Sequence, residues 1–201
     1  MNFDVIKSNL EKRGFTVSLF DTASEASKYL NTVIDGKTVG FGGSVTLQEM
    51  GLYESLSTHN ACFWHWRIKD GTTAAELRDQ GNAAKIYLSS VNGIAESGEI
   101  INIDGTCNRV ASTLYGHEKV YLVAGKNKIA ENYEAALWRA RNVAAPKNAQ
   151  RLGVSTPCAA KGDRCYDCAS DARICRALAV LWEKPSGADI EVVLIDEALG
   201  Y

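Results

Sequence analysis

Runs of apolar, β-branched and aromatic residues recur along this chain, separated by segments with helical spacing, and that alternation points to an α/β fold built on a parallel sheet. Residues 85–90, 119–124 and 190–195 are almost continuously apolar. Strands covered on both faces read this way, whereas a half-exposed strand alternates. Between them the pattern predicts an opening helix bracketed by Val5, Leu10 and Phe15 and ended by Gly14, a strand over 15–20, and a helix capped by Asp21 or Thr22 that runs to about Leu30. A strand over 38–41, a helix over 46–56 and an aromatic strand over 62–68 follow, then a helix capped by Thr72 or Thr73. Residues 99–104 alternate as a strand. The longest helical pattern covers 129–145, stopped or kinked by Pro146, with Arg139, Arg141 and Lys147 as its solvated face. Residues 176–182 read as helix before the closing strand. The expected architecture is one α/β domain over 1–201, with an open, mostly parallel sheet flanked by helices.

Composition narrows the function classes. Apolar residues make up 46% of the 201, enough for one full core. A net charge of −2 gives no electrostatic reason to expect nucleic acid or an anionic membrane as partner. The opening Met1-Asn2-Phe3-Asp4-Val5-Ile6-Lys7 lacks the basic and apolar regions of a signal peptide, and no apolar run is long enough to span a bilayer. A cytoplasmic location is the expectation.

Four cysteines, Cys158, Cys165, Cys168 and Cys175, stand in the pattern C-x6-C-x2-C-x6-C. Gly, Pro, Asp and Ser around them indicate loop and turn, so 156–177 reads as a cysteine-rich excursion. The two-residue gap lets Cys165 and Cys168 bind one centre, and the flanking loops are long enough to bring Cys158 and Cys175 round. Four thiolates suit an iron–sulfur cluster, with [4Fe–4S] favoured, or a structural zinc as the alternative. Two disulfides or unrelated buried thiols are the competing reading, which a reducing compartment disfavours. Lys161, Arg164 and Arg173 would stabilise thiolates. Of the two remaining cysteines, Cys62 reads as a small core residue.

Three further stretches carry possible ligand chemistry. Gly42, Gly43, Ser44 and Thr46 form a glycine turn between a strand and a helix, where backbone N–H groups and hydroxyls suit a phosphate or carboxylate. The spacing matches neither a P-loop nor a dinucleotide fingerprint, and a plain tight turn is the bland alternative. Asn92 and Glu96, with Asp104, Asn108 and Arg109, follow two strands, and open parallel sheets bind ligands in such places. Glu96 or Asp104 could serve as general base and Arg109 as a bidentate carboxylate clamp, or all of them could be turn residues and a surface ion pair. Lys126, Asn127 and Lys128 end another strand, where lysines either meet an anion or only aid solubility. The aromatic run from Phe63 to Trp66 reads as core on one face, with His65 hydrogen-bonded or at the surface, and His59 and His117 have no evident partner.

Together these segments resemble the LUD domain family, named for lactate utilisation. The resemblance spans residues 39–152 and rests on Ser44-Val45-Thr46-Leu47 with Gly51, on Asn92 and Gly98, on Asp104-Gly105-Thr106 with Asn108-Arg109, on Gly125 with Asn127-Lys128-Ile129, and on the helix ending Arg141-Asn142-Val143-Ala144-Ala145-Pro146-Lys147-Asn148. The cysteine segment is similar to that of a family subgroup with such a quartet. Cys107 and Gly93 depart from it, standing where glycine and alanine are usual. The resemblance implies a fold like that of ribose-phosphate isomerases and CoA transferases, whose glycine turn grips the ligand's anionic group. It also implies a part in lactate or related organic-acid oxidation, binding a small anionic metabolite alongside iron–sulfur oxidoreductase partner proteins. An isomerase or transferase acting on a sugar phosphate or acyl substrate, and a non-catalytic subunit with a structural zinc, are the other readings.

Overall fold

The computed structural model describes residues 3–201; the expectation for the extreme N-terminus, Met1 and Asn2, lies outside them. In chain order the elements are α1 (Phe3–Lys12), β1 (Thr16–Phe20), α2 (Ala23–Val33), β2 (Thr38–Phe41), α3 (Val45–Glu49), α4 (Leu52–Leu56), β3 (Ala61–Trp64), α5 (Ala74–Asn82), β4 (Ile86–Ser89), β5 (Gly93–Ala95), β6 (Ile100–Asp104), α6 (Asn108–Leu114), β7 (Lys119–Gly125), β8 (Ile129–Ala130), α7 (Tyr133–Arg139), α8 (Ala145–Leu152), α9 (Pro157–Lys161), β9 (Ala177–Leu181) and β10 (Ile190–Ile195). Six strands form one sheet in the order β1-β10-β7-β4-β2-β3, and every pairing in it is parallel.

Strand alternation divides the core between the two faces of this sheet. Val192 and Leu194 join Leu122, Val17 and the α1 residues Ile6 and Leu10 on one side. Val193 and Ile195 join Val123, Phe41 and the α2 residues Ala26 and Leu30 on the other. Burying each Leu or Ile contributes about 1.5–3 kcal/mol, so both helical layers are needed to cover strands that are apolar on both faces. Glu191, in the middle of β10, is 3% exposed. It is satisfied by Ser18 and Tyr29 hydroxyls, each at 2.7 Å, and by Lys119 at 3.3 Å. Gly40 on β2 lets α5 approach: a Cβ there would meet the Gly81 carbonyl oxygen at 2.2 Å.

Several elements differ from the sequence-based expectation, each for a local reason. The helix predicted over 46–56 is two short ones, because Gly51 adopts φ +60° between them. The aromatic strand stops at Trp64, and Trp66 folds back to stack on it with ring centroids 5.2 Å apart. Ile129 and Ala130 pair with β5 as strand, and Asn132 then caps α7. The helix does not stop at Pro146. A wide π-type turn over Ala140–Ala144 carries it into α8, and this places Pro146, which cannot donate, at the start of the next regular turn.

The predicted helix over 176–182 is strand β9. It pairs antiparallel with β6, whose open edge overrides the helical preference of its Ala and Leu residues. With β5 and β8 these strands make a second, mixed sheet in the order β8-β5-β6-β9, which the sequence pattern did not reveal. Helix α6 was also missed. At the N-terminus Ile6 and Leu10 are buried, whereas Val5 is largely exposed. Among the described residues, no helix is long and apolar enough to cross a membrane.

Candidate functional site

A cavity of about 540 Å³ opens where β2, β3, β4 and β7 reach their C-terminal ends, the place where parallel sheets bind ligands. The turn after β2 forms part of its wall. Gly42 N–H donates to Leu88 O at 2.9 Å, prolonging the β2–β4 pairing. Both glycines are demanded by neighbouring side chains. A Cβ on Gly42 would meet Ser89 Oγ at 2.9 Å and Arg109 Cγ at 3.0 Å, and one on Gly43 would meet the Trp66 indole at 3.1 Å. The hydroxyls of this turn are already engaged: Ser44 Oγ accepts from Leu47 N–H at 3.2 Å, and Thr46 Oγ1 donates to Leu199 O at 3.3 Å.

The residues after β4 and β6 converge as the sequence suggested, and they are bonded mainly to one another. The Arg109 guanidinium donates to Ser90 O and Asn102 Oδ1 through Nη1, to Asn92 Oδ1 and Ile103 O through Nη2, and pairs with Asp104 Oδ2 through Nε at 3.4 Å. No edge of it is left for a bidentate clamp. Asp104 Oδ1 accepts from Gly105 N–H at 2.7 Å and Cys107 N–H at 3.3 Å, and Oδ2 accepts from Val110 N–H at 3.3 Å. It thus supplies the acceptors at the start of α6 that Cys107, at φ +69°, does not provide. Glycine adopts that left-handed conformation without the strain a side chain brings. Asn108 lines the cavity, but Cys107 is not part of its wall.

Glu96 lies elsewhere, past the end of β5; its carbonyl accepts from Asn9 Nδ2 at 2.8 Å, and it does not line the cavity. Lys126 is a surface residue paired with Asp196 at 2.9 Å. Asn127 ties β7 to the chain's end, accepting from Leu199 N–H at 3.1 Å and donating to Gly200 O at 3.3 Å. Lys128 alone of these three enters the cavity wall. It is 4% exposed, and its Nζ donates to Ser90 Oγ at 2.9 Å. Burial, with Arg139 and Arg109 nearby, lowers its pKa to about 7. Arg139 is not on a solvated face: its Nε donates to Asn127 O at 2.6 Å and its Nη1 to Asn92 O, and burial lowers its pKa to about 10.

Of the other cations of the cavity, Arg173 and Arg176 belong to the cysteine segment, where the sequence ties Arg173 to the thiolates, whereas Arg78 and Arg151 lie on helices with no motif. Arg78 comes from α5, Arg151 from α8, and Arg173 and Arg176 from the stretch before β9. The Arg151 guanidinium sits 4.4 Å from the centre of the Trp66 ring, and its Nε donates to Tyr201 OH at 2.9 Å. His65 also lines the cavity; burial first, then the charges of Arg78 and Arg151, push its pKa down to about 4, so it is neutral near pH 7. Arg78 Nε and Arg173 Nε are buried without a hydrogen-bond partner among the described residues. Away from the cavity, His117 Nδ1 donates to Ala84 O at 2.6 Å, and His59 bonds Thr58 and Ile34.

All four cysteines of the quartet are free thiols. Cys158 lies on α9, with Sγ 3.3 Å from Thr156 Oγ1. Cys165, Cys168 and Cys175 occupy the irregular stretch that follows. Arg141 Nη2 approaches Cys165 Sγ at 3.8 Å and Arg173 Nη2 approaches Cys175 Sγ at 3.5 Å, and these thiols raise the pKa of both guanidinium groups. Lys161 and Arg164 instead lie over the Tyr166 ring, at 4.6 and 5.4 Å. Cys165 and Cys175 line a second cavity of about 280 Å³, and Cys175 also lines the large one. As placed, no three Cys, His or carboxylate side chains among the described residues form a group that could hold a metal ion. The donor chemistry itself, unpaired thiols beside guanidinium groups, suits a tetrathiolate centre.

A family model described as the LUD domain matches residues 3–195. The chain belongs to the LUD domain family. A crystal structure of a DUF162 family protein from Deinococcus radiodurans matches this LUD domain over 96% of its length and 94% of the other chain, with a TM-score of 0.54 and 11% identity. At that identity the likeness establishes the fold. The eIF2B beta structure from Chaetomium thermophilum aligns over 68% of the LUD domain and 42% of its own chain, with 13% identity and a TM-score of 0.34, too low to bear on fold or function. No curated protein matches the sequence.

Proposed function

We propose that this LUD domain binds a small organic anion of the lactate class in its cationic cavity and carries a four-cysteine centre, as a component of organic-acid oxidation. The observation that carries this reading is the charge of the lining. Among the described residues it presents five guanidinium groups, those of Arg78, Arg109, Arg151, Arg173 and Arg176, against one carboxylate, Asp104, which is already paired with Arg109. A wall so charged, with guanidinium nitrogens left unpartnered, favours a ligand that brings negative charge and acceptors. The cavity's volume exceeds what a three-carbon acid needs, so larger organic acids are within its range.

In this reading Arg78 and Arg151 grip the carboxylate, and Trp66 and His65 cover it from water. Asn108 offers an amide to a hydroxyl or carbonyl oxygen. Asp104, Arg109 and Asn92 hold the wall in place. The isomerase or transferase alternative needs a free carboxylate base. Glu96 lies outside the cavity and both oxygens of Asp104 are engaged, so the geometry favours the anion-binding reading.

Cys158, Cys165, Cys168 and Cys175 would hold the centre, in a single domain over 1–201 whose cysteine segment spans 156–177. A [4Fe–4S] cluster supplies one-electron transfer and implies iron–sulfur oxidoreductase partners; zinc, the alternative, would brace the segment. Reduced thiols suit a cytoplasmic location. The test is calorimetric titration of the full chain with lactate, pyruvate and larger organic acids, beside anaerobic purification with metal analysis and a visible spectrum. Saturable binding that Arg151→Ala weakens, in a brown protein containing iron and sulfide, supports the reading. Absence of binding to every organic acid overturns the anion site, and a colourless protein holding one zinc overturns the cluster.

A further inference from the structure

Lys128 differs from every other cation in the cavity. Buried lysines are normally neutralised by a carboxylate, yet among the described residues Lys128 forms no ion pair, and the bond its Nζ makes is to a hydroxyl, Ser90 Oγ at 2.9 Å. The direction of that bond is fixed. Ser90 Oγ donates onward to Thr46 Oγ1 at 3.4 Å, and Thr46 donates to Leu199 O, so Ser90 receives a hydrogen from the lysine. The charged groups that face Lys128 are Arg139 from α7, Arg109 from α6 and Glu49 from the end of α3. Two guanidinium groups and deep burial oppose a third positive charge, and Glu49 offsets them only in part. An uncharged amine is served by that one acceptor and keeps a nitrogen lone pair that makes it a nucleophile in the cavity wall.

An uncharged amine in a wall of carboxylate-binding cations suits a ligand with a carbonyl next to its carboxylate. We propose that Lys128 captures 2-oxo carboxylates covalently, as a Schiff base on Nζ. The nitrogen attacks the carbonyl carbon, and the C–N bond forms as the carbonyl oxygen takes a proton. The resulting carbinolamine expels that oxygen as water, so that R–NH2 and R′–CO–COO⁻ give R–N=C(R′)–COO⁻ and H2O, with no change in oxidation level. A 2-hydroxy acid such as lactate has no carbonyl and can only be held by charge and hydrogen bonds. The site would therefore distinguish the reduced from the oxidised member of a hydroxy-acid/oxo-acid pair. This rests on the anion-binding reading for the location of the ligand, but not on the cysteine centre.

The test is trapping with cyanoborohydride, which reduces iminium ions in place. The full chain is incubated with pyruvate, 2-oxoglutarate or lactate plus the reductant at neutral pH, then intact mass and peptide mapping are recorded. The expected result is one reduced adduct with each oxo acid and none with lactate, mapped to Lys128. Label at Lys128 should exceed that at the exposed Lys126 by at least about tenfold, since a pKa near 7 raises the amine fraction roughly a thousandfold over an ordinary lysine. In Lys128→Met, with folding checked by circular dichroism, the adduct should be lost. Calorimetry with pyruvate on the untreated protein separates the two readings. Binding without an adduct at Lys128 overturns the Schiff base and leaves the anion site standing; neither binding nor adduct overturns both. Label spread evenly over surface lysines also overturns the proposal.

Discussion

The floor and the rim of the large cavity use the same residue types in opposite ways. On the floor, Asp104, Arg109, Asn92 and Ser44 are bonded to one another and to the backbone, with little capacity left for a ligand. On the rim, Arg78 and Arg173 have buried nitrogens without partners, and Arg151 lies across an indole. A saturated network fixes the shape of a site, whereas an unsaturated one is where a ligand completes the bonding. The polar cluster most visible in the sequence is bonded within the wall, and in the proposed anion site the contacts come from Arg78 and Arg151, on helices that carry no motif.

Mutations should break this contrast in a graded way. Arg109→Met should have the largest effect: it strands Asp104 and Asn102 in a region where the paired side chains are each 12% exposed. A loss of about 3–5 kcal/mol in chemical denaturation is expected. Gly42→Ala, in the turn after β2, must displace Ser89 or Arg109 and should cost about 1–3 kcal/mol by the same measurement. Arg151→Ala on the rim should leave stability within about 1 kcal/mol of the parent, yet weaken organic-anion binding roughly tenfold or more in calorimetry.

Acid should act on the rim through His65. Its folded pKa, about 4, lies below the ordinary 6.5, so the unfolded chain binds more protons between these values. Stability should fall as pH drops from 6.5 towards 4, and His65→Gln should flatten that part of the curve. Lys128 works in the same sense at higher pH: its folded pKa of about 7 against 10.5 unfolded makes stability rise between those values, a slope that Lys128→Met should remove. The smallest effect has the opposite sign. Cys107→Gly relieves a left-handed φ of +69° and should stabilise the fold by about 1 kcal/mol or less.

What the sequence disclosed follows from which signals are local. The buried strands β4, β7 and β10 were legible because an element covered on both faces has to be apolar throughout. The caps were legible to within one residue, Asp21 or Thr22 and Thr72 or Thr73, because the capping bond closes within three residues; Thr22 and Thr73 make it. Strand β9 was not, since nothing in Ala-Leu-Ala-Val-Leu announces that β6 has an open edge more than seventy residues earlier. Arg78 and Arg151 were passed over for the same reason: an arginine on a helix looks solvated until the fold places a cavity beneath it. Arg139 reads as a surface residue in the helical pattern, and it is a buried donor because α7 packs on β5 and β8, which brings it to the Asn92 and Asn127 carbonyls. The glycine turn was legible, but the neighbours that crowd Gly42 and Gly43, Ser89, Arg109 and Trp66, were not, because they are distant in sequence.

The wide turn between α7 and α8 makes helix length itself a determinant of the cavity. A π-type turn amounts to one residue inserted into an α-helix, and everything downstream is phased by it. Winding the same residues Ala140–Ala144 as regular α-helix, with none removed, would rotate the following helix by roughly 100°. Asn148 and Arg151 would swing off the cavity wall, while Arg139, upstream, would keep its bonds to Asn92 and Asn127. A change of winding that removes no side chain would thus empty the rim of its aromatic-backed arginine, so the form of this turn matters as much as the residues the helix carries.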